Sequence, residues 1–172
     1  MSLLLLALAA AGVPPESQAR GFDPQIGRWH TQLRRLAHPL SAAPPEWISY
    51  SGTTNVTPIW GGTGNLVELE VDGGGGHIEG LSVRLFDPQA RQWRIYYSNS
   101  RFGTLMGQPT FGAFTAGRGE FYGSDSLDGR AILVRFLIAP ENRDTIHFEQ
   151  SYSADGGKTW EANWIATDTR LP

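Results

Sequence analysis

The sequence predicts an all-β fold, a single antiparallel up-and-down barrel of about eight strands. Apolar and polar residues alternate with a period of two over much of the chain, as they do in half-buried strands. Turn residues recur about every ten positions, which is typical of an antiparallel meander. Strand patterns do not alternate with long amphipathic helices, so a parallel α/β fold is disfavoured. Rolling the meander into a barrel removes its unpaired edges.

The composition indicates one turn-rich domain. Hydrophobic residues make up 40% of the 172 positions and charged residues 18%, with 21 glycines and 11 prolines. The net charge is −3, and the basic residues, nearly all of them arginine, are dispersed. The chain therefore lacks the basic stripe that follows a phosphate backbone, and nucleic acid is not expected as a partner. The absence of cysteine excludes a disulfide scaffold and a thiolate nucleophile.

Residues 1–19 predict an export signal. Leu3 to Val13 is an apolar run too short to span a bilayer, and Ser17 and Ala19 provide small residues at the spacing of a signal-peptidase site. We expect cleavage after Ala19, a barrel domain over 20–172, a periplasmic or secreted location and no stable membrane insertion of the mature chain. No Lys or Arg precedes the run, so a membrane-tethering tail or an apolar disordered N-terminus is the alternative.

The first strand patterns lie between residues 28 and 97. Segment 28–36 begins as a strand, but the spacing of Leu33 and Leu36 also fits a helix. In the patterns that follow, apolar residues alternate with polar ones, and we expect the apolar set to face the interior. These sets are Val67, Leu69 and Val71, then Leu81, Val83 and Leu85, then Trp93, Ile95 and Tyr97.

Further strands are expected in the C-terminal third. Segment 131–138 is apolar nearly throughout, which predicts a strand covered on both faces. His147 is expected on the outer face of the next strand, and the last strand is expected over 160–169. The residues expected on the inner face of the strand that contains His147 are Ile146, Phe148, Gln150 and Tyr152.

The hairpin before the last strand carries an Asp-box pattern. Residues 153–160 read Ser-Ala-Asp-Gly-Gly-Lys-Thr-Trp. In such a turn the carboxylate of Asp155 accepts hydrogen bonds from backbone amides, and Trp160 packs over the turn. The pattern occurs once, whereas a β-propeller would repeat it in every blade. It therefore predicts a structural hairpin.

The candidate binding residues are aromatic and hydrogen-bonding side chains on the predicted inner faces. Ligand pockets combine large apolar walls with a few fixed polar groups. Arg135 interrupts an apolar strand, and because a buried arginine must be paired or bind an anion, we expect it in an internal salt bridge or at a ligand carboxylate. The predicted ligand-binding set is Trp60, Trp93, Tyr97, Arg135, Phe148, Gln150, Tyr152 and Trp164.

Neither a metal nor a cofactor is indicated by the sequence. The four histidines show no paired spacing of the kind that binds zinc. The carboxylates are spread over several strand patterns, and no nucleophilic triad is visible. We therefore expect neither a metal site nor a resident cofactor.

Several motifs resemble a known family. They are Leu-Phe-Asp-Pro at 85–88, Arg-Gln-Trp at 91–93, Gly-Glu-Phe-Tyr-Gly at 119–123, Phe-Glu-Gln at 148–150, Asp-Gly-Gly-Lys-Thr-Trp-Glu at 155–161 and Asn-Trp at 163–164. Over about residues 22–170 the chain is similar to bacterial lipocalin-like proteins of calycin type, whose function is uncharacterised. The resemblance implies a calycin-like barrel and implies no catalytic residue.

A second feature resembles lipocalin-like barrels. In those folds a Gly-x-Trp on the first strand places an indole across the barrel floor, and an arginine from the last strand covers it. Here Gly27-Arg28-Trp29 and Arg170 occupy the two ends of the domain. The resemblance implies that Trp29 and Arg170 are in contact at one end of the barrel.

These observations lead to three hypotheses for function. The first is an exported barrel that binds a small apolar or aromatic molecule in its interior. The alternative is a metal-independent lyase, isomerase, cyclase or hydratase that acts on a small hydrophobic substrate and transfers protons through Tyr97, Arg135 or Gln150. The third is a filled barrel that acts through its surface.

Overall fold

The computed structural model describes residues 18–172, and these residues form a closed barrel of ten antiparallel strands. The predicted up-and-down barrel class is confirmed, but the strand number of about eight is wrong. The strands that the sequence pattern misses are rich in Gly, Ser and Thr and have few large apolar residues in alternation. They are β2 (Trp47–Ile59), β6 (Met106–Thr115) and β7 (Arg118–Leu127).

Each strand pairs with its neighbour in the chain, and the last pairs with the first. The segment with an ambiguous pattern near residue 33 is wholly strand. Two short 3-10 turns occupy Asp23–Gln25 and Trp60–Gly62. The other strands are β1 (Gly27–Leu36), β3 (Gly64–Gly73), β4 (Gly76–Asp87), β5 (Gln92–Asn99), β8 (Arg130–Asn142), β9 (Thr145–Ser153) and β10 (Glu161–Arg170).

Successive hairpins alternate between the two ends of an up-and-down barrel. We call the end that receives segment 18–26 the floor, and the β2–β3, β4–β5, β6–β7 and β8–β9 connections also lie there. We call the opposite end the mouth, where β1 connects to β2 and β9 connects to β10. Among the described residues, no helix is long and apolar enough to span a membrane.

An aromatic cluster fills the floor. Phe22, just before the 3-10 turn of segment 18–26, is 1% exposed. Its ring meets Trp93 and Phe114 edge-on at centroid distances of 4.7 and 4.8 Å, and it stacks on Phe121 at 5.6 Å. Aromatic pairs favour these offset and edge-on arrangements. The floor is therefore a packed hydrophobic core built around Phe22.

The expected contact between Trp29 and Arg170 is confirmed. The two residues are Cα partners between β1 and β10, and the Arg170 Cζ lies 4.0 Å from the centroid of the Trp29 ring. Arg170 Nη1 and Nη2 donate to the carbonyl oxygens of Ile26 and Pro24 at 3.0 and 2.8 Å. Gly27 has a φ of +125°, and a Cβ there would meet Arg170 Nη1 at 3.0 Å. Both constraints favour glycine two residues before Trp29.

Gln18 joins the floor cluster. Its side-chain amide donates to Phe114 O at 2.7 Å and accepts from Phe114 N at 3.1 Å. The backbone carbonyl oxygen of Gln18 accepts a hydrogen bond from Trp93 Nε1 at 2.8 Å. The predicted cleavage after Ala19 would remove these contacts. The apolar run and Ser17, which motivate that prediction, lie outside the described residues.

The inner face of β4 is the reverse of the expected one. Leu81 is 36% exposed on the outside, whereas Arg84 is 8% exposed and points inward. The cause is the β3–β4 hairpin, in which Gly73 pairs with Gly76 across a two-residue turn. This register places Ser82 and Arg84 on the same face as the inward apolar residues of β3.

We predict that Trp29→Ala lowers the free energy of unfolding by about 3–5 kcal/mol, because it removes a large buried side chain. Arg170→Ala should cost less, because water replaces lost hydrogen bonds at the rim. Urea denaturation followed by circular dichroism measures both values. A smaller loss for Trp29→Ala than for Arg170→Ala would contradict this account of the floor.

A second prediction compares two N-termini. A chain that starts at Arg20 should be less stable than one that starts at Gln18 by at least about 1–3 kcal/mol. The reason is that the loss of Gln18 leaves buried hydrogen-bonding groups of Trp93 and Phe114 without partners. Urea denaturation of the two shortened chains provides the comparison. Equal stability would show that Gln18 is dispensable and would leave cleavage after Ala19 structurally harmless.

Candidate ligand-binding cavity

A cavity of about 550 Å³ lies between the floor cluster and the mouth. Its wall consists of inward side chains from all ten strands of the described barrel. Phe102 lines it while being 64% exposed, so the cavity reaches the surface at the mouth. Trp29 and Ile138 close it at the floor. The barrel therefore has a packed lower part and an open upper part.

Five members of the predicted ligand-binding set line this cavity. They come from β5, β9 and β10, and the two-residue period correctly identified the inner faces of β5 and β9. A β-bulge between Ala162 and Trp164 brings Asn163 to the same wall as Trp164. The five residues are Tyr97, Phe148, Gln150, Tyr152 and Trp164.

The structure does not place the other three members on the cavity wall. Trp93 points inward as expected, but it lies within the floor cluster and is 0% exposed. Trp60 lies in the β2–β3 connection at the floor end and is 71% exposed. Arg135 faces outward. Strand parity predicts the face on which a side chain lies but not its height along the barrel axis. It therefore could not show that Trp93 lies in the floor cluster while Tyr97, on the same face of β5, lies at the cavity.

Arg135 lies outside because β8 is covered on one face only. Val134 and Phe136 line the cavity, so Arg135 between them points away from it. Its guanidinium lies 3.6 Å from Glu149 and 4.8 Å from the centre of the Trp160 ring. Of the two roles expected for Arg135, pairing with a carboxylate is the one observed, and the pair lies on the outer face.

Trp160 is held in place by the turn before β10. Asp155 accepts hydrogen bonds from the backbone amides of Lys158 and Thr159, both at 3.0 Å, and Trp160 Nε1 donates to Gly157 O at 3.1 Å. The bonds from Thr159, together with that from Ser153, hold the pKa of Asp155 well below its usual range. This turn and its tryptophan belong to the outer surface.

A polar cluster lies on the β9–β10 wall of the cavity. Gln150 Nε2 donates to Asn163 Oδ1 at 2.8 Å and to the Tyr152 hydroxyl at 3.1 Å. Asn163 is 2% exposed, and its Nδ2 has no hydrogen-bond partner. A buried donor without a partner is costly, so a ligand acceptor at this position would gain a well-placed hydrogen bond.

Two tyrosines add hydroxyl groups to the wall. Burial raises the pKa of both Tyr97 and Tyr152. The ring of Tyr97 lies over Gly80, where a Cβ would come within 3.2 Å of its hydroxyl oxygen. With raised pKa values the phenols stay protonated at neutral pH, so they act as hydrogen-bonding groups rather than as phenolate bases.

Near the floor, Asp168 provides a carboxylate inside the barrel. Its Oδ1 accepts a hydrogen bond from Thr31 Oγ1 at 2.5 Å, and Thr31 Oγ1 lies 2.6 Å from Thr54 Oγ1. Burial raises the pKa of Asp168, and the bond from Thr31 and the charge of Arg84 offset this effect only in part. Ionisation of Asp168 is therefore unfavourable in the folded barrel.

Sequence reasoning missed Asn163, Asp168 and Arg84, which all line the cavity. Arg84 had a usable signal. The two-residue turn after Gly73 fixes the β3–β4 register, and that register assigns Arg84 to the inner face once Val67 is placed inside. Asn163 had no such signal, because a β-bulge breaks the period there.

Within residues 18–172, no group of three His, Cys, Asp or Glu side chains is close enough to hold a metal ion. His147 is absent from the cavity lining, and its chain neighbours Ile146 and Phe148 face the cavity. The described groups that line the cavity are thus apolar side chains, amides, hydroxyls and four charged residues, Arg35, Arg84, Asp125 and Asp168.

No family model matches the chain, and no curated protein matches it. Among solved structures it is similar to the S-type phycobiliprotein lyase CPES from Guillardia theta, with 12% identity, a TM-score of 0.59 and coverage of 88% of this chain and 90% of that one. It is also similar to EF1p2_mFAP2b bound to DFHBI, with 11% identity, a TM-score of 0.49 and coverage of 90% and 99%. At such low identity the likeness to the lyase shows a shared fold alone, a lipocalin-like closed barrel.

We predict that Asp168→Asn stabilises the protein at neutral pH. An unfolded aspartate ionises near pH 4. Because the folded pKa of Asp168 is raised, ionisation costs stability as the pH rises from about 4 through the folded pKa, and the cost remains at higher pH. The variant should therefore exceed the wild type in unfolding free energy at pH 7, and the difference should vanish below about pH 4.

Urea denaturation between pH 3 and pH 8 measures this difference. Asp128→Asn is the control, because Asp128 is exposed in the β7–β8 turn. It should give no gain that depends on pH. A loss of stability at pH 7 in Asp168→Asn would show that the carboxylate stabilises the barrel.

Proposed function

We propose that this protein binds a small apolar or aromatic molecule inside its barrel. The main support for this proposal is the cavity of about 550 Å³, whose wall combines aromatic and aliphatic side chains with a few hydrogen-bonding groups. Small-molecule sites have this size and this mixture. The aromatic part of the wall includes Tyr97, Phe148, Tyr152 and Trp164.

The division of the interior supports this proposal over a filled barrel. A closed barrel needs a packed core, and the floor cluster around Phe22 supplies one. Above it, Leu33 and Val71 belong to a second cluster against the β1–β3 wall, and the space beside that cluster stays open to the mouth. The open space therefore lies beside two packed clusters and not inside either of them.

The cavity wall favours binding over proton-transfer catalysis. Of the three residues considered for catalysis, Arg135 lies on the outer face. Tyr97 has a raised pKa, and Gln150 is already engaged with Asn163 and Tyr152. Hydrogen-bonding groups that are neutral and fixed in place orient a ligand, whereas proton transfer needs a group whose pKa is close to the working pH.

The proposed location is the periplasm or the exterior of the cell. It rests on the apolar run near the N-terminus and on the small residues after it. The contacts of Gln18 with the floor favour a mature chain that retains this residue. N-terminal sequencing of protein recovered from the periplasm or the medium tests both points, and an intact Met1 on cytoplasmic protein would refute export.

A cavity-filling variant tests the proposed function. Ser82 faces the cavity, whereas its neighbour Leu81 is 36% exposed on the outer face. Ser82→Trp should weaken binding of the neutral fluorescent probe N-phenyl-1-naphthylamine at least tenfold, because the indole occupies the space that the probe needs. Leu81→Trp introduces the same side chain outside the barrel and should bind the probe like the wild type.

Fluorescence titration measures the dissociation constants, and thermal melts followed by circular dichroism verify folding. Equal probe binding by the wild type and folded Ser82→Trp would place the probe outside the barrel. Absence of binding to the wild type would count against the proposed function itself.

A further inference from the structure

Arg84 is a buried cation at the closed end of the cavity. It lies on the inner face of β4 and is 8% exposed. Its Nη1 donates to Gln25 Oε1 at 2.5 Å, and its Cζ lies 4.3 Å from the centre of the Phe22 ring. The guanidinium is therefore fixed between the floor cluster and the cavity.

The charge of Arg84 has no close counter-ion. Among the described residues, no carboxylate oxygen lies within 4.0 Å of its guanidinium nitrogens, and Nε and Nη2 donate no hydrogen bond. Burial lowers the pKa of Arg84 to about 9, so the group remains charged at neutral pH. Buried charges in proteins are normally paired, and an unpaired one requires an explanation.

Neighbouring polar groups share this lack of partners. Asn65 and Ile95 are the Cα partners of Arg84, and Thr110 is the Cα partner of Ile95. Asn65 is 1% exposed and Thr110 6%, yet the side-chain amide of Asn65 and the hydroxyl of Thr110 have no hydrogen-bond partner. One row across β3, β4, β5 and β6 therefore holds three buried side chains with unused polar atoms, although such atoms are few in native structures.

We propose that this closed end is the head-group site of the cavity and that Arg84 binds a carboxylate of the ligand there. The inference rests on the proposed function and specifies the class of ligand. The free edge of the guanidinium, Nε with Nη2, has the geometry that binds a carboxylate through two parallel hydrogen bonds. Thr110 lines the same cavity and supplies a hydroxyl donor.

The opposite wall is compatible with an anionic head group. Asp168 also lines the cavity and interacts with Arg84 across a distance beyond ion-pair range. Its carboxylate accepts a hydrogen bond from Thr31, and burial favours its neutral form. Because burial disfavours the negative charge of Asp168 while Arg84 keeps its positive charge, Asp168 opposes an anionic ligand less than a readily ionised carboxylate would.

The ligand class is thus an apolar or aromatic molecule with one terminal carboxylate. Its acid group would lie near Arg84, and its apolar body would extend toward the mouth between Phe148, Trp164 and Leu69, which line the middle of the cavity. Binding exchanges the water around a free carboxylate for a fixed guanidinium in a site of low dielectric constant, where charge-assisted hydrogen bonds are strong.

The test compares two fluorescent probes with the same apolar body, 1-pyrenebutyric acid, which is anionic at neutral pH, and its methyl ester, which is neutral and one methyl group larger. Fluorescence titration of the protein at pH 7 should give tighter binding of the acid. Arg84→Met, which replaces the guanidinium by a shorter unbranched apolar side chain, should weaken binding of the acid by about ten- to one-hundredfold and leave binding of the ester unchanged. Arg84→Lys, which keeps the positive charge but lacks the planar guanidinium with its two parallel N–H donors, should retain part of the preference for the acid.

Arg94→Met is the matched control, because Arg94 pairs with Asp87 instead of lining the cavity. It changes the net charge equally and should bind both probes like the wild type. Thermal melts verify folding of each variant. If Arg84→Met does not fold, the comparison of acid and ester in the wild type and in Arg84→Lys still decides the question.

Equal affinity of the wild type for acid and ester would overturn the inference while leaving the proposed function intact. An equal loss of affinity for both probes in folded Arg84→Met would also overturn it, because Arg84 would then shape the cavity without distinguishing a charged ligand from a neutral one. Failure of both probes to bind the wild type would remove the proposed function and the inference with it.

Discussion

The pairing of β1 with β10 is the contact on which the rest of this structure depends. It closes the sheet, so that inward side chains from every strand surround one enclosed interior. The stacking of Arg170 on Trp29 occurs at this pairing, and the same guanidinium binds the carbonyl oxygens of Pro24 and Ile26. The side chain of Arg170 therefore links the β1–β10 pairing to the floor segment. Without that closure the cavity would be an open groove.

The width of the barrel explains why the interior has both a core and a cavity. The interior of a barrel widens with the number of strands, and an eight-stranded barrel is just wide enough to be filled by side chains or to hold one small ligand. The described chain has ten strands. Phe22 and Gln18, which come from the segment before β1, are needed to fill the floor, and no comparable segment among the described residues fills the mouth. The cavity is present because side chains from the segment before β1 fill the barrel at the floor only.

The polar groups inside the barrel cost stability, and their positions give the site its chemistry. Arg84 and Asp168 face the same space without a direct ion pair, and Asn163 has an unused donor. A sequence optimised for folding alone would place apolar residues at such positions. Leu81, Val83 and Leu85 of β4 instead lie on the strand face opposite Arg84, and Leu81 is 36% exposed there. The places where this chain departs from the rules of a stable core thus coincide with the wall of its cavity.

The sequence by itself determined the all-β class and the inner faces of β3, β5 and β9, and the resemblance to lipocalin-like barrels implied the contact between Trp29 and Arg170. The alternation of residues along a strand is a local property, so Tyr97, Phe148 and Gln150 could be assigned to the interior. Only the tertiary structure decided that Arg135 lies outside, that Trp93 lies below the cavity and that Arg84 lies within it. Alternation separates the two faces of a strand, but the pairing of neighbouring strands decides which face is enclosed. The height of a residue in the barrel depends on where every strand begins, and no local pattern records that.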